Sequence, residues 1–520
     1  MPEEIIVGID LGTTFSAIAY VDEKLGKPEI ITNAEGERTT PSVIFFEENG
    51  QPIVGREALN QVIINPERAV RFVKREMGES SFEFNLDGKE ETPESLSAII
   101  LKKLKNDAQE RLGKEIKKAV ISVPAYFKDA QREATRQAGE IAGLEVVRII
   151  NEPTAAALAY GLEKEEDQTI LVYDFGGGTF DVTIMEIAGK EFTVKATDGD
   201  AKLGGSDIDQ ILVDYLANEF KNDHGIDLRE QPQTCQDLWD KAERAKKALS
   251  IKTSTAETLS LGEKTAKITI DLDDFNDLIQ DIIAKSENCM NKVIQDAGMS
   301  WSQIDKVLLV GGSSRIPAVK EMIKRVTGKE PVKDTNPDEC VASGAAIQGV
   351  LIQEEAANSV NNSSTEPNSE GGSSIDIQVI DVASHSLGVR AFSSQDNKYV
   401  NSIIIPRMTK IPCEKTKCFA TREDNQGEVE YEILQGEDPN PRSPHVDRIG
   451  KAKLKNLPPH KAGELLIEVT LRYTADGTIE VVTKEQKNGE ISREVVMTKS
   501  GTLSTEIVET KRQELEQMVL

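Results

Sequence analysis

The stretch that decides the fold is residues 171–181, Leu-Val-Tyr-Asp-Phe-Gly-Gly-Gly-Thr-Phe-Asp. An apolar strand, predicted over residues 170–173, leads into Asp174, and the glycines and Thr179 separate it from a second predicted strand over residues 180–187. Consecutive glycines at a strand-to-strand turn allow several backbone N–H groups to point into one concavity, which suits a phosphate. Asp174 beside that concavity suits Mg²⁺, which prefers carboxylate, phosphate and water oxygens. Taken alone, the stretch is also compatible with an ordinary glycine hairpin turn.

A second copy of this pattern lies near the N-terminus, at residues 5–14, Ile-Ile-Val-Gly-Ile-Asp-Leu-Gly-Thr-Thr. The strand again leads into an aspartate, Asp10, and the return strand is predicted over residues 17–21. Two strand–Asp–Gly–Thr hairpins about 160 residues apart predict two similar half-domains. Facing each other, they would hold one polyphosphate between two glycine turns and place Asp10 and Asp174 beside one metal ion.

Composition and charge exclude several classes of function. The chain has 520 residues, enough for several domains, and its 62 basic and 89 acidic residues give a net charge of −27. A chain this acidic is not expected to bind nucleic acid or an anionic membrane surface. The N-terminus lacks a basic leader, and no apolar run approaches the roughly 18 residues of a membrane span. Five scattered cysteines without a Cys-x-x-Cys pair predict a reduced, cytoplasmic protein without structural zinc.

Strands alternate with helices across the first 350 residues, which predicts an α/β architecture. A short helix is predicted over residues 66–78, ended by Gly78, and a longer one over residues 93–112. The remaining predicted elements are strands at 43–46, 119–123 and 145–150 and helices at 128–142, 154–161 and 240–250.

Four motifs, in this order, resemble the DnaK-type heat-shock chaperones, which have the actin-like ATPase fold. They are the first strand–Asp–Gly–Thr turn, Val-Pro-Ala-Tyr-Phe at residues 123–127, Asn-Glu-Pro-Thr-Ala-Ala-Ala at 151–157 and Asp-Phe-Gly-Gly-Gly-Thr at 174–179. Further matches are found at Gly204-Gly205-Ser206-Asp207, at residues 243–250 and 310–317, and at Asn336-Pro337-Asp338-Glu339. The resemblance covers residues 5–352 almost continuously and residues 376–499 more loosely.

The resemblance implies an ATPase that uses ATP and Mg²⁺, with K⁺ as a candidate second ion. Lys74, Glu152 and Thr179 would be catalytic, with Lys74 reaching the γ-phosphate and Glu152 orienting the attacking water. The metal would be held at Asp10, Asp174 and Asp181. The residues expected to hold the nucleotide are Asp10, Gly12, Thr13, Thr14, Gly176, Gly177, Gly178, Gly204, Gly205, Glu243, Lys246, Ser250, Gly311, Gly312, Ser314, Arg315 and Asp338.

Other members of the same fold are the main alternatives. Sugar kinases and actin-like filaments share the two-hairpin clamp, whereas a P-loop ATPase is disfavoured because G-x-x-x-x-G-K-[ST] does not occur in the sequence. Pro124, Arg132 and residues 151–157 resemble the interdomain hinge of the chaperones, and no additional sugar-binding domain is evident. These features favour the chaperone branch.

Residues 354–374 are polar and of low complexity, and they predict a flexible tether. Residues 376–381, Asp-Ile-Gln-Val-Ile-Asp, predict either the first strand of the next domain or, by the resemblance, the linker that docks on the ATPase domain when ATP is bound. Gln378 interrupts the aliphatic run of that linker and predicts weaker docking. Arg148 and Asp381 match positions that the family uses when a J-domain partner binds.

Short alternating strands follow between residues 387 and 497, with a hairpin turn at Asp476-Gly477, and predict a β-sandwich similar to the family's peptide-binding domain. The strands are expected at 402–405, 417–421, 428–434, 465–471 and 478–484. Phe419, Val429 and Tyr431 are candidates for the peptide pocket. Phe392 and Arg422 stand where the family usually has smaller or apolar residues in an arch over the peptide.

Residues 498–520 are expected to add one amphipathic helix over 506–520, capped by Ser504 or Thr505. The family's long helical lid is expected to be absent, and residues 76–95 lack an insertion found in the main-line members, so the chain resembles short bacterial paralogues. The expected division is therefore an ATPase domain at 1–353, a tether and linker at 354–381, a sandwich at 382–499 and a helix at 500–520.

Two functions follow from these observations. The first is an ATP-dependent chaperone for unfolded or extended peptides that works with a J-domain cochaperone, with a nucleotide exchange factor as a candidate further partner. The second is a nucleotide-gated adaptor that serves one dedicated protein. Neither function involves nucleic acid or a membrane.

Overall fold

The computed structural model describes residues 5–22, 24–79, 81–162, 166–333, 336–361, 377–475, 477–485, 498–499 and 502–520. It confirms the predicted fold class, an α/β ATPase region of two lobes followed by a β-sandwich.

The first lobe is organised around a mixed sheet in the order β11-β10-β1-β2-β3, with β4 beside β2. In that sheet β1 pairs in parallel with β10 and antiparallel with β2, so Asp10 ends a central strand. The elements of this lobe are β1 (Ile6–Asp10), β2 (Phe15–Asp22), β3 (Lys27–Ile30), β4 (Thr40–Pro41), β5 (Val43–Phe46), β6 (Pro52–Val54), α1 (Arg56–Gln61), β7 (Ala69–Arg71), β8 (Phe84–Leu86), β9 (Lys89–Glu91), α2 (Pro93–Leu112), β10 (Lys118–Val123), α3 (Asp129–Ile141), β11 (Glu145–Asn151) and α4 (Glu152–Gly161).

The second lobe repeats this arrangement. Its strand β12 pairs in parallel with β17 and antiparallel with β13, as β1 does with β10 and β2. The predicted internal repeat is therefore confirmed. The elements are β12 (Gln168–Phe175), β13 (Phe180–Ala188), β14 (Glu191–Asp200), α5 (Gly205–His224), α6 (Pro232–Leu249), β15 (Ser254–Leu261), β16 (Lys264–Asp271), α7 (Leu272–Leu278), α8 (Gln280–Asp296), β17 (Lys306–Val310), α9 (Pro317–Thr327) and α10 (Cys340–Asn361).

Helix α10, although it follows the second lobe in the chain, packs tightly against the first lobe. A Cβ atom at Gly344 would lie 1.7 Å from the carbonyl oxygen of Ala155 in α4, and one at Gly8 would lie 2.0 Å from the backbone nitrogen of Ala346. Glycine is required at both places because the backbones approach more closely than any side chain allows. This packing fixes the first hairpin relative to α4, the helix that begins at Glu152.

The helix predicted over residues 66–78 does not form. Instead β7 pairs with β5, placing Val70 opposite Ile44, and Phe72 then takes a left-handed conformation with φ of 60° before a 3₁₀ turn at Val73–Glu76. The apolar spacing of this segment imitates a helical stripe, but its side chains enter the core from a strand and a turn. Lys74 consequently lies on a buried turn.

The C-terminal sandwich consists of one sheet in the order β20-β19-β23-β24-β27 packed on a second in the order β22-β25-β26. All the predicted strands are confirmed, with ends shifted by a few residues; Asp476 of the predicted turn lies outside the described residues. The elements are β18 (Gln378–Val382), β19 (Leu387–Ser393), β20 (Lys398–Ile405), β21 (Lys410–Ile411), β22 (Cys413–Ala420), β23 (Glu428–Gln435), β24 (Asp447–Lys455), β25 (Leu466–Tyr473), β26 (Ile479–Glu485), β27 (Thr498–Lys499) and α11 (Thr505–Glu516).

The linker strand β18 joins the sheet of the second lobe. It pairs in parallel with β14 and antiparallel with β21, so one sheet continues from the ATPase region into the sandwich. Gln378 pairs with Glu191 and does not interrupt the ladder. The predicted tether over 354–374 needs correction at its start, because residues up to Asn361 continue helix α10; residues 362–376 lie outside the described part of the chain.

Helix α11 packs on the first lobe. Ser504 caps it by accepting a hydrogen bond from the Ile507 N–H, as predicted, and Val508 and Leu515 are buried in the core of that lobe. The Lys511 ammonium lies 3.1 Å from the Glu91 carboxylate. The end of the chain is therefore bound to the lobe that carries α2 and α3.

Candidate nucleotide site and its connection to the sandwich

A cavity of about 620 Å³ lies between the two lobes, at the turns that follow β1 and β12. This volume is in the range of sites for small organic ligands. The predicted residues that line it are Asp10, Gly12, Thr13, Thr14, Lys74, Glu152, Asp174, Gly176, Gly177, Thr179, Glu243, Lys246, Ser250, Gly311, Gly312, Arg315 and Asp338.

The glycines of the second hairpin permit it to approach the first. A Cβ atom at Gly177 would lie 2.6 Å from the methyl carbon of Thr14, and one at Gly178 would lie 2.6 Å from that of Thr13. Any larger residue would push the hairpins apart and open the cavity. Gly178 itself does not line the cavity. It lies behind the wall, where the lack of a side chain allows the two hairpins to pack closely.

Gly204 and Gly205 also support the cavity wall from behind. A Cβ atom at Gly204 would lie 2.4 Å from the backbone nitrogen of Gly178, and the Gly205 N–H donates a hydrogen bond of 3.0 Å to the carbonyl of Gly176. The start of α5 thereby fixes the glycine turn of the second hairpin.

Lys74 and Glu152 form an ion pair at the floor of the cavity, with 5% and 6% of their surfaces exposed. Burial opposes the charge on Lys74, but the carboxylates of Glu152 and Asp10 more than offset it and raise the lysine pKa. The ammonium therefore stays protonated in an enclosed site, where charge interactions are strong.

Asp10 and Asp174 surround the same lysine from the two hairpins. Burial, followed by the charge of Glu152, raises the pKa of Asp10 to about 7 and holds that of Asp174 well above its ordinary value. The hydroxyl of Ser122 donates to Asp10 at 3.0 Å. Several carboxyl groups thus face one ammonium, an excess of negative charge that a divalent cation would offset.

The donor set fits Mg²⁺ better than a metal enclosed by protein ligands. Among the residues that the structure describes, no group of three or more acidic, histidine or cysteine side chains is placed to hold a metal alone. Magnesium sites commonly use one or two carboxylates together with phosphate and water oxygens. Asp10 and Asp174 supply such a pair.

Asp181, predicted as a metal ligand, makes different contacts. Its carboxylate accepts hydrogen bonds from the N–H groups of Ala125 at 2.9 Å and Tyr126 at 3.1 Å, and it does not line the cavity. Burial and the nearby Glu152 raise its pKa to about 7. The role of Asp181 at the metal stays a prediction, and its observed contacts are with these backbone donors.

One side of the cavity is formed by helix α6. Lys246 donates to the Asp209 carboxylate at 2.7 Å and to the carbonyl of Gly205 at 3.0 Å, while Glu243 pairs with Lys247 at 2.6 Å. Burial acts against the Glu243 charge, but the surrounding cations prevail and lower its pKa. This side therefore presents fixed polar groups suited to hydroxyls and ring nitrogens.

The turn at residues 311–315, a third glycine loop, forms the opposite side of the cavity. Arg315 makes a two-point ion pair with Asp338, at 2.9 and 2.8 Å. Gly311 has φ of 76°, and Ser314 stabilises the turn by donating to the Gly311 carbonyl at 2.6 Å. Ser314 does not line the cavity and has a structural role.

Sequence reasoning missed several residues of the wall. Ile251 is 88% exposed although it is apolar, and it follows Ser250 at the end of α6. An apolar residue directly after a predicted ligand is a signal that could have been recognised. The other missed residues are Phe15, Thr39, Lys247, Val310, Ser313, Ile316, Lys320, Pro337 and Val341.

The turn at residues 124–127 connects Asp181 to the sandwich. Ser384 donates to the Ala125 carbonyl at 2.6 Å, and Nε2 of His385 lies 2.9 Å from the Tyr126 carbonyl. The rings of Tyr126 and His385 meet edge to face with centroids 4.4 Å apart. The 124–127 turn therefore donates hydrogen bonds from its N–H groups to Asp181, and its carbonyls accept hydrogen bonds from the first residues of the sandwich.

Asp381 anchors the linker strand on the first lobe. Its carboxylate accepts hydrogen bonds from the Asn151 amide at 2.8 Å and the Thr154 hydroxyl at 3.1 Å. Burial raises its pKa, with Arg132 and these donors acting in the opposite direction. Arg148 and Asp381 both line a second cavity, of about 70 Å³. The two residues predicted to serve a J-domain partner therefore lie together.

The predicted peptide-binding residues divide into two groups. Tyr431 is buried in the sandwich core, where its hydroxyl bonds to Thr483, whereas Phe419 and Val429 are partly buried at the edge of that core. Phe392 and Arg422, the arch candidates, contact each other at the surface, with the guanidinium carbon 3.8 Å from the ring centroid.

No helix within the described ranges combines the length and apolar character needed to cross a bilayer.

Comparison with known proteins agrees with this geometry. The family model described as "Hsp70 protein" matches residues 6–519. Curated relatives named "Chaperone protein DnaK" from Thermotoga petrophila, Thermotoga maritima and Thermotoga neapolitana are each 47% identical over 493 residues, which is 93% of this chain and 78% of each relative. The chain belongs to the Hsp70 family of ATP-dependent chaperones, as the motifs along its sequence predicted.

Proposed function

We propose that the cavity between the lobes hydrolyses ATP with Mg²⁺ and that the state of the nucleotide controls binding and release of extended peptide by the sandwich. The observation that carries this proposal is the buried Lys74–Glu152 pair, which lies between two phosphate-type hairpins. The linker docked through Asp381 lies one hydrogen bond from Asn151, the neighbour of Glu152 in the chain.

The chemistry of the walls supports one orientation of the nucleotide. The N–H groups of the two hairpins, with the hydroxyls of Thr13, Thr14 and Thr179, suit the β- and γ-phosphates. The polar groups of α6 and the apolar Ile251 suit the adenosine, with Arg315 on its other side. In this orientation the terminal phosphate would lie next to Lys74 and Glu152.

Phosphoryl transfer needs positioning and charge stabilisation more than covalent participation of the protein. The Lys74 ammonium stabilises charge on the γ-phosphate oxygens, Glu152 orients the attacking water, and the Thr179 hydroxyl positions the phosphate. Mg²⁺, held at Asp10 and Asp174, would supply charge neutralisation between the phosphates. K⁺ is a candidate for a second ion at the same acidic wall.

We propose that the nucleotide signal reaches the sandwich by two routes. Asp181 holds the 124–127 turn, and that turn binds Ser384 and His385. Asn151 binds the linker through Asp381, and the Arg132 guanidinium donates to Asn151 at 2.5 Å. Displacing Asp181 or Glu152 would therefore disturb contacts on which the docked sandwich depends.

The same contacts support proposals for the partners and the domain boundaries. We propose that a J-domain cochaperone binds next to Arg148 and Asp381, and that a nucleotide exchange factor is a further partner. The proposed units are an ATPase domain that continues through helix α10 to residue 361, a tether and linker up to residue 381, the sandwich at 382–499 and the helix region at 500–520. The proposed compartment is the cytoplasm.

A dedicated adaptor is the second candidate function. The Arg422–Phe392 contact closes the arch positions with a charged group, which favours a narrow set of partners over general binding of apolar chains. In that case nucleotide binding would gate the sandwich without stimulation of hydrolysis by peptides.

Single-turnover ATP hydrolysis distinguishes the two functions. The full chain is assayed alone, with an unfolded apolar peptide and with a J-domain protein, beside Thr179→Ala and the control Thr258→Ala, which changes an exposed strand residue. Slow hydrolysis that both partners accelerate, and that only Thr179→Ala impairs, supports the chaperone. Tight ATP binding without acceleration by either partner contradicts it and favours the adaptor.

A further inference from the structure

The surface of the sandwich carries a stack of guanidinium and aromatic groups formed by Arg390, Phe392, Tyr399 and Arg422, here called the arginine–aromatic stack. The guanidinium carbon of Arg422 lies 3.8 Å from the Phe392 centroid, and that of Arg390 lies 4.1 Å from the Tyr399 centroid. The two rings meet edge to face at 5.5 Å. Arg422 also donates to the Tyr399 hydroxyl at 3.1 Å.

The backbone fixes the position of this stack. Phe392 and Tyr399 are directly opposed on β19 and β20, so the sheet register sets the distance between their rings. Arg422 follows β22, which belongs to the other sheet, and its N–H donates to the Gln426 side chain at 3.0 Å. The guanidinium therefore connects the two sheets of the sandwich at its rim.

The stack has fewer ion pairs than guanidiniums among the described residues, although Glu423 and Asp424 directly follow Arg422 in the chain. Within the described ranges Arg422 forms no ion pair. The nearby Glu432 carboxylate is shared by three guanidiniums, at 3.6 Å from Arg390, 3.2 Å from Arg442 and 3.4 Å from Arg448. In a chain of net charge −27, three guanidiniums thus share the single carboxylate of Glu432 at this rim, and Arg422 is without an ion-pair partner among the described residues.

A stacked guanidinium keeps its edge available. The ring of Phe392 covers the face of Arg422, while N–H groups in the plane of the guanidinium can still bind a carboxylate. Stacking also restricts the side chain before a ligand arrives, so less conformational entropy is lost on binding.

The apolar candidates lie close to the stack in the fold. Phe419 precedes Arg422 by three residues, and Phe419, Val429 and Ala391 pack at the edge of the same core. An extended peptide advances about 3.3 Å per residue, so a residue one or two positions from an apolar anchor lies about 3 to 7 Å from it along the peptide.

We propose that the arginine–aromatic stack selects, among extended apolar peptides, those that carry aspartate or glutamate one or two residues from the apolar side chain bound by the sandwich. The Arg422 guanidinium donates to that carboxylate. This inference rests on the proposed function, because it requires that the sandwich binds peptide, and it assigns to Arg422 a role in specificity.

The test compares three labelled peptides that share an apolar centre and carry Glu, Gln or Lys beside it. Fluorescence anisotropy with the full chain is expected to show about three- to tenfold tighter binding of the Glu peptide than of the Gln peptide, with the Lys peptide weakest. The preference should shrink as salt is raised, because the guanidinium is exposed to solvent.

Variants assign the effect to the stack. Arg422→Gln should bind the Glu and Gln peptides equally, whereas Arg472→Gln, an exposed arginine that pairs with Glu414 on another strand, should keep the preference. Unchanged thermal unfolding of Arg422→Gln would show that the variant is folded.

The outcomes separate this inference from the proposed function. Equal affinities of the unaltered chain for the Glu and Gln peptides would overturn the inference while leaving peptide binding intact. A preference for the Glu peptide that persists in Arg422→Gln would also overturn it. Binding of none of the three peptides, with ATP hydrolysis intact, would overturn the inference together with the peptide-binding part of the proposed function.

Discussion

Docking of the sandwich on the ATPase region should weaken as the pH falls, because of one buried histidine. His385 is enclosed at the interface, where its Nε2–H donates to the Tyr126 carbonyl. Burial lowers its pKa from 6.5 to about 4. Among the charged groups that face it, Glu437 raises the pKa while Lys128 and Arg132 lower it.

The sign and size of the effect follow from proton linkage. When the sandwich undocks, His385 regains a pKa near 6.5, so the undocked state binds the extra proton and gains stability below that pH. The docked state is therefore favoured above pH 6.5 and loses stability progressively down to about pH 4. At pH 5.5 the difference amounts to about 1.4 kcal/mol, a tenfold change in the docking equilibrium.

Hydrogen exchange of the linker amides in β18 measures this equilibrium directly. With Mg-ATP bound to the full-length Thr179→Ala variant, the protection factors of residues 378–382 should fall about tenfold between pH 7.5 and pH 5.5. Protection factors correct for the intrinsic pH dependence of exchange. His385→Gln should abolish this fall, because glutamine also donates to the Tyr126 carbonyl but does not titrate in this range.

Controls separate His385 from the other titrating groups. Asp10 and Asp181 have pKa values of about 7 and titrate in the same interval, so the comparison that counts is between the parent and His385→Gln. His445→Gln changes an exposed histidine of the same sandwich and should behave as the parent. The reasoning is refuted if His385→Gln shows the same loss of protection as the parent.

Three further predictions concern the catalytic pair, the glycine support and the C-terminal helix. Lys74→Ala should lower the single-turnover rate of ATP hydrolysis by about 100-fold or more, because it removes a buried charge that stabilises the transferred phosphate. The control Lys267→Ala, at an exposed position, should leave the rate unchanged. Equal rates for Lys74→Ala and the unaltered chain would contradict the catalytic role. Gly204→Ala should weaken ATP binding, measured by calorimetry, by about tenfold or more, because its Cβ would lie 2.4 Å from the Gly178 nitrogen. The control is Gly427→Ala, whose Cβ would meet no atom within 4 Å. Equal affinities of the two variants for ATP would contradict the supporting role of Gly204. Leu515→Ala should lower the opening free energy of α11, measured by hydrogen exchange, by about 2–4 kcal/mol, because the side chain is buried. Ile507→Ala, at an exposed position of the same helix, should change this free energy little. An unchanged value for Leu515→Ala would mean that α11 is not bound through this side chain.

The sequence by itself determined the elements whose signal is local. The two strand–Asp–Gly–Thr hairpins, the helix at Pro93–Leu112 and the sandwich strands were predictable because periodicity, glycine turns and caps act over a few residues. The repeated hairpin also predicted that Asp10 and Asp174 would meet, since two similar lobes that enclose one ligand place equivalent residues opposite each other.

Tertiary structure decided the features that depend on distant partners. Residues 66–78 have helical spacing, but pairing of β7 with β5 holds Ala69–Arg71 as a strand and buries Lys74 on the turn beyond it. Asp181 has the residue type of a metal ligand, yet the N–H groups of a turn more than fifty residues earlier in the chain bind its oxygens. Packing and hydrogen bonding between distant segments outweigh local preference at such positions, because a buried polar group must find its partner wherever the fold places one.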